Sequence, residues 1–466
     1  MTLTHDLVII GATREGIHTA KKAIDLKKRV ALVQQPFNGH FEASEDIFAA
    51  ISTRIARLYQ LASQWEDAER LPRWDHVHSW AREVENEVKN RDSLAILSAM
   101  GVDVIEGSGE FVRLPRLGFV VENRKLFANS YLIATSCRPE AREILGLGEM
   151  DYLTPRDIAK IEDLETIPHR FAILGETPIA LQLAWILRYF GKEITLIVSE
   201  NSLLPDEDRD ISRLVSAILE AEGIELLTDQ SVSQVKAIER QKWLQLENRA
   251  IEVDEIVIAG EYRSNYEGLN LEGVGVAVEK GIIQVNSRLQ TTNPRIFACS
   301  LPENGYPDPS LDRYRGSIAL QNALFSANIP VNTDSIARVI PFSPPIARVG
   351  LTEKQARQKY GDRIKVITYP LKNSIALTMT GEDTGFCKII VLENGKILGA
   401  RWIGWGGEEA IGSIALAMRE NIKIDALNLS IYPFATVSEI IGEIGDRFHR
   451  RKSWLDRLID WLKNLD

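Results

Sequence analysis

Cysteine is scarce in this chain. Cys137, Cys299 and Cys387 are the only three in 466 residues. They stand far apart, with no C-x-x-C pair and no metal-ligand spacing. No disulfide framework is indicated, and a reducing compartment is the plain reading. Histidine is nearly as rare, at seven. The one close pair, His76 and His78, falls two apart on a helix-patterned stretch and points to different faces, so no metal site is expected. Positive charge is also short: the formal net charge is -10, which argues against nucleic acid as a partner because phosphate binding wants a basic face. No run approaches eighteen apolar residues, which excludes a membrane-spanning helix. The opening stretch before Leu7-Val8-Ile9-Ile10 has the wrong flanks and length for a signal peptide. The expected location is the cytoplasm.

What remains is ordinary for a globular protein, with 45% hydrophobic and 26% charged residues, and the length suits about three domains. Leu7 to Ile10 is an apolar run, Gly11-Ala12-Thr13-Arg14-Glu15-Gly16 a turn, His18 to Leu26 a helix and Arg29 to Val33 a second strand. That order makes a parallel βαβ unit. The same grammar recurs at Phe171 to Leu174, Gly175-Glu176-Thr177-Pro178-Ile179-Ala180, a helix through Phe190, and Ile194 to Val198. Two such units imply two nucleotide-binding domains in one chain. Between them, Trp74 to Leu97 has helical periodicity, while Val102 to Ile105, Gly109 to Val112 and Tyr131 to Thr135 read as strands. In the last third, Lys365 to Ile367, Phe386 to Leu392 and Ile397 to Ile403 read as an antiparallel sheet with an Asn394-Gly395 hairpin turn. Helices follow at Glu408 to Glu420 and from about Ser438.

This order of pieces resembles the pyridine nucleotide–disulfide oxidoreductases, the flavin-dependent class that includes dihydrolipoamide dehydrogenase, glutathione reductase and mercuric reductase. Ile133-Ala134-Thr135-Ser136-Cys137-Arg138-Pro139, Leu203-Leu204-Pro205-Asp206-Glu207-Asp208, Thr292-Asn293-Pro294-Arg295-Ile296-Phe297-Ala298, Ala347-Arg348-Val349-Gly350-Leu351-Thr352-Glu353 and Gly385-Phe386-Cys387-Lys388 carry the likeness. It implies an α/β fold: an FAD-type Rossmann domain (residues 1–150 and 274–335), an NAD(P)-type Rossmann domain (151–273), an α+β dimerisation domain (336–446) and a C-terminal amphipathic helix (447–466). It also implies a homodimer, with Ile375-Ala376 and Tyr432-Pro433 near the subunit contact.

Carried onto this sequence, the family's chemistry is incomplete. Its redox cysteines fall on Phe41 and Asp46, and neither side chain forms the thiolate that attacks a disulfide. Ala50 stands for the lysine beside the flavin. The partner-donated His–Glu pair falls on Phe434 and Glu439; Phe434 carries no proton, so the general base is missing too. Both implied cofactor sites, for FAD and for NAD(P), are altered. The first fingerprint is Gly11-x-Thr13-x-x-Gly16, with threonine where a glycine lets the backbone approach a pyrophosphate. Gln34 sits where an acid would bind the ribose, and Ser300-Leu301 replaces a Gly-Asp flavin contact. The second fingerprint is Gly175-x-Thr177-x-x-Ala180, with Val198 near the ribose position and Glu200 two residues on.

Two functions compete. One is a non-catalytic binding or scaffold homodimer derived from a reductase; the other is a dithiol-independent, diaphorase-like flavoprotein, since flavin carries hydride chemistry by itself. The tail from Arg447 adds a basic cluster (Arg447, His449, Arg450, Arg451, Lys452). Trp454, Leu455, Leu458, Trp461, Leu462 and Leu465 then lie at helical spacing. It reads either as a helix folded on its own domain or as a surface for a partner protein or for peripheral contact with a membrane.

Overall fold

The computed structural model describes residues 3–36, 43–62, 74–140, 143–163, 166–239, 241–302, 304–428 and 432–449. The chain forms two compact units, 1–332 and 333–466.

The first unit contains two parallel sheets of the same design. In one, β1 (His5–Ile10), α1 (Arg14–Asp25) and β2 (Val30–Gln34) form the opening βαβ unit. Two long helices follow, α2 (Ala43–Ala62) and α3 (Trp74–Arg91). The strands β3 (Asp103–Glu106) and β4 (Ala128–Ile133) then extend the sheet on its two sides. In the other, β5 (Arg170–Leu174), α4 (Pro178–Tyr189) and β6 (Glu193–Ile197) repeat the unit. It is flanked by β7 (Glu225–Leu227) and β8 (Glu255–Ile258). The chain then returns to the first sheet with β9 (Ile296–Ala298) and the helix α5 (Pro309–Phe325). The strand orders are β9-β4-β1-β2-β3 and β7-β6-β5-β8, all parallel. The helices α1 and α5 pack on the first sheet, and Phe111, Phe119 and Val121 of an antiparallel three-stranded sheet share its core, so β1 and β2 bury nearly every side chain and read as unbroken apolar runs.

Two helices depart from the sequence reading, for local reasons. The helix expected at His18 begins at Arg14, because the Thr13 side chain caps it. The periodic stretch Trp74 to Leu97 is two helices: α3 ends at Arg91, and Ser93 caps a short helix Leu94–Ala99. His76 and His78 diverge as their spacing requires. His76 is exposed, whereas His78 is buried with Nε2 2.9 Å from the Ala159 carbonyl. Trp74 lies on the same helix and donates to the Ile161 carbonyl at 2.6 Å.

The second unit is an antiparallel sheet of β10 (Arg338–Ile340), β11 (Ile346–Gly350), β12 (Ile364–Pro370), β13 (Phe386–Leu392) and β14 (Ile397–Ile403), ordered β10-β11-β14-β13-β12. One face packs Ala347, Ile389, Ala400 and Trp402 against α6 (Gly407–Arg419) and α7 (Glu439–His449). Arg447 was grouped with the basic tail in the sequence, but it belongs to α7. Its guanidinium donates to the Thr368 carbonyl at 2.9 Å and lies 4.5 Å from the Tyr369 ring centre. The remainder of the expected amphipathic helix, 450–466, lies outside the described residues. Among the described residues no helix is long and apolar enough to cross a membrane.

Candidate functional site

Open parallel sheets bind ligands beyond the carboxyl ends of their strands, where a helix N-terminus faces the crevice. Both fingerprint turns lie at that place, and both are built the same way. Gly11 donates its N–H to the Val33 carbonyl at 2.8 Å, and Ala134 donates to the Ile10 carbonyl at 2.8 Å. In the second sheet, Gly175 donates to Ile197 at 3.1 Å and Ala259 to Leu174 at 2.9 Å. Gly11 has φ +115°, and a Cβ there would run into the Ala134 carbonyl. At Gly175 a Cβ would run into the Ala259 carbonyl. The first glycine of each turn is therefore a steric requirement.

Each threonine does two jobs. The Thr13 hydroxyl donates to the Ala134 carbonyl at 2.9 Å and accepts from the Gly16 N–H at 3.2 Å. The Thr177 hydroxyl donates to the Ala259 carbonyl at 2.7 Å and accepts from the Ala180 N–H at 3.2 Å. One side chain caps the helix and latches it to the neighbouring strand end. Each hydroxyl is turned toward the sheet, and the N–H groups of Gly16 and Ala180 are satisfied within their turns.

The first crevice holds a side chain that the sequence reading passed over. Glu15, the second residue of α1, is only 6% exposed, and its carboxylate accepts a hydrogen bond from the Ser300 hydroxyl. Ser300 follows β9 and lies 285 residues away, so this bond spans the gap between the start of α1 and the end of the outer strand. Burial pushes the Glu15 carboxyl above its ordinary range, a shift that the Ser300 bond only partly offsets. On α5, Asp312 and Arg315 are buried beside it. Arg315 donates to the Leu301 carbonyl at 2.9 Å and lies 3.3 Å from Asp312 Oδ1. Burial, and next the nearby Glu15 charge, drive Asp312 well above the ordinary carboxylate range. An FAD pyrophosphate approaching α1 would meet a desolvated acid. The residues present do not fit that group.

The second crevice stays open. A cleft of about 120 Å³ lies at the ends of β5, β6 and β8, lined by Gly175, Glu176, Ser199, Gln230, Glu140 and Glu143. A ligand pocket for a molecule of drug size is typically about 300–1,000 Å³. Glu176 accepts from the Ser199 hydroxyl at 3.4 Å, and Glu140 pairs with Arg263. Val198, near the ribose position, is fully buried, and Glu200 is exposed. The three acids share this lining with apolar Ile144, Leu174, Ile197, Val232 and Ile258.

The other singled-out residues are scattered. Gln34 ends β2 with its side chain exposed. Phe41 lies outside the described residues; Asp46 and Ala50 fall in α2. Phe434 is 77% exposed, and Glu439 opens α7 in the second unit. The three cysteines are free and buried, and burial raises every one of their thiols well out of the reactive range. The missed residues, Glu15, Asp312 and Arg315, left one signal: a charged pair, Arg14-Glu15, inside a fingerprint turn.

Comparison with known proteins matches residues 5–300 to the model of the pyridine nucleotide-disulphide oxidoreductases and residues 336–444 to the dimerisation domain of the same group. A mercuric reductase of Bacillus cereus is 27% identical over 454 residues, covering 93% of this chain and 70% of that protein. A dihydrolipoyl dehydrogenase of Thermus scotoductus is 30% identical over 374 residues, covering 76% of this chain and 77% of that protein. Among solved structures, the Cu(II) complex of the flavoprotein disulfide reductase RclA from Escherichia coli superposes with a TM-score of 0.83 at 22% identity, covering 96% of this chain and 100% of that one.

Proposed function

Because the chain belongs to the pyridine nucleotide–disulphide oxidoreductase family and carries that family's dimerisation domain, we propose that it works as a non-catalytic binding or scaffold homodimer built on the reductase fold. The observation that carries this reading is the state of its sulfur. Disulfide reduction needs a paired, accessible thiolate. The only thiols, Cys137, Cys299 and Cys387, are all buried, with burial holding the proton on each. An exposed phenylalanine, Phe434, stands where the resemblance calls for the proton-carrying histidine. Exposed apolar groups on the second unit, Ile375 and Met379 at 54% and 74%, suit the pairing of two copies.

The test is turnover by the purified full chain. NADH and NADPH consumption is followed with a low-molecular-weight disulfide, and separately with a quinone or dye acceptor, while light scattering gives the mass. A dimer that consumes neither nucleotide is the expected result. Steady consumption with the dye but not with the disulfide establishes the diaphorase-like flavoprotein instead.

A further inference from the structure

We infer that this chain supplies its own replacement for a flavin: Glu15, Ser300, Asp312 and Arg315 close the crevice of the first sheet, so that the folded state neither needs nor admits FAD. The inference stands on the crevice and is independent of whether the protein turns over a substrate.

The closing set is continuous. Thr13 ties the start of α1 to the end of β4. The carboxylate of Glu15 then reaches across to Ser300, beyond β9. The next residue, Leu301, is itself buried, and its carbonyl takes the Arg315 guanidinium. Arg315 holds Asp312 one helical turn earlier on the same helix, and Asp308 caps that helix by accepting from the Leu311 N–H at 3.0 Å. Thr19 completes the seam by donating to the Glu15 carbonyl oxygen at 2.7 Å. α1 and α5 approach closely at Gly316, where a Cβ would press on the Thr19 hydroxyl. Glu15, Ser300, Asp312 and Arg315 are each at least nine-tenths buried. Satisfied polar groups at that depth are a finished interior: each already has a partner that a ligand would have to displace. A dinucleotide entering here would have to break the Glu15–Ser300 bond and set its phosphates against a carboxylate in low dielectric, both of which oppose binding.

The experiment titrates FAD into the purified full chain, reading FAD fluorescence quenching and melting temperature. Wild type and the double variant Glu15→Gly, Leu301→Asp are compared. Wild type is expected to leave FAD fluorescence unquenched and to melt at the same temperature with and without FAD. The double variant removes the bridging carboxylate and restores an acid at the family's flavin contact. It is expected to quench FAD saturably, with an affinity about tenfold or more above wild type. Wild type that purifies with, or saturably takes up, one FAD per chain overturns the inference. A double variant that folds and still ignores FAD also overturns it. If that variant does not fold, wild type decides: a melting temperature unmoved by FAD supports the inference, and a rise overturns it. A colourless protein that nevertheless consumes NADH with a dye would sink the proposed function and leave this inference standing; a yellow, inactive protein would do the reverse.

Discussion

The two fingerprint turns started from one plan and ended differently. Both keep a glycine that only hydrogen tolerates, and both replace the next glycine with a threonine that caps its helix and holds the neighbouring strand. The first adds a buried glutamate that bridges its crevice to Ser300; the second places its glutamate, Glu176, on the wall of a cleft that stays open. An acid inside a turn therefore does not have one meaning. Two residues after the threonine it fills the gap, whereas immediately before the threonine it lines it.

The largest test of the shared plan is steric. Gly11→Ala and Gly175→Ala each drive a methyl group into a strand carbonyl and are expected to cost on the order of 3 kcal/mol or to abolish soluble expression. Denaturant midpoints measure this. A tolerated Gly175→Ala beside a ruined Gly11→Ala would show that the turns are not equivalent. Removing the latches should cost less. Thr13→Ala and Thr177→Ala are each expected to lose about 1–2 kcal/mol, the value of a cap with one further hydrogen bond. Thr177 stands at the upper end because it is buried, and serine at either place should restore most of the loss.

A graded effect follows from Glu15, whose folded-state carboxyl lies above its ordinary value. The folded state therefore holds that proton more tightly than the unfolded chain. Stability from this group is full below the unfolded value, about 4.3, and is lost as pH rises through the folded value. Asp312 shifts the same way, and Arg14, Arg315, Cys137 and Cys299 also face this pair. Glu15→Gln should therefore gain on wild type as pH rises from about 4 toward neutrality. Urea midpoints at a series of pH values measure the difference, and a constant offset would remove Glu15 from the account. The smallest effect belongs to Gln34→Glu. Restoring an acid at this exposed strand end should move stability by less than about 0.5 kcal/mol and confer no dinucleotide binding by calorimetry, because Glu15 rather than Gln34 closes the crevice.

Much of the fold was legible because its signals are local. Apolar runs such as Leu7 to Ile10 and Phe171 to Leu174, each followed by a glycine turn, announce parallel strands, and Asn394-Gly395 announces a hairpin. Helix starts were less legible: whether Thr13 caps depends on its hydroxyl finding Ala134, which is 121 residues away. The candidate site was legible only as a set of absences, cysteines and a histidine where the resemblance expects them. What fills the space was not, since Glu15 meets Ser300 and Arg315 meets Leu301 only after β9 and α5 return to the first sheet. A sequence shows that a residue has changed; the partner it acquires is set by the tertiary fold.

The threonine latch also leaves a trace in time. The amide protons of Gly16 and Ala180 sit at helix starts, where such protons commonly face water, yet each is held by a hydroxyl that is itself anchored to the sheet. Their exchange with deuterated solvent should await the parting of helix from strand rather than the fraying of a turn. The two amides would then act as paired clocks, one for each sheet, reporting how often each nucleotide-type domain opens.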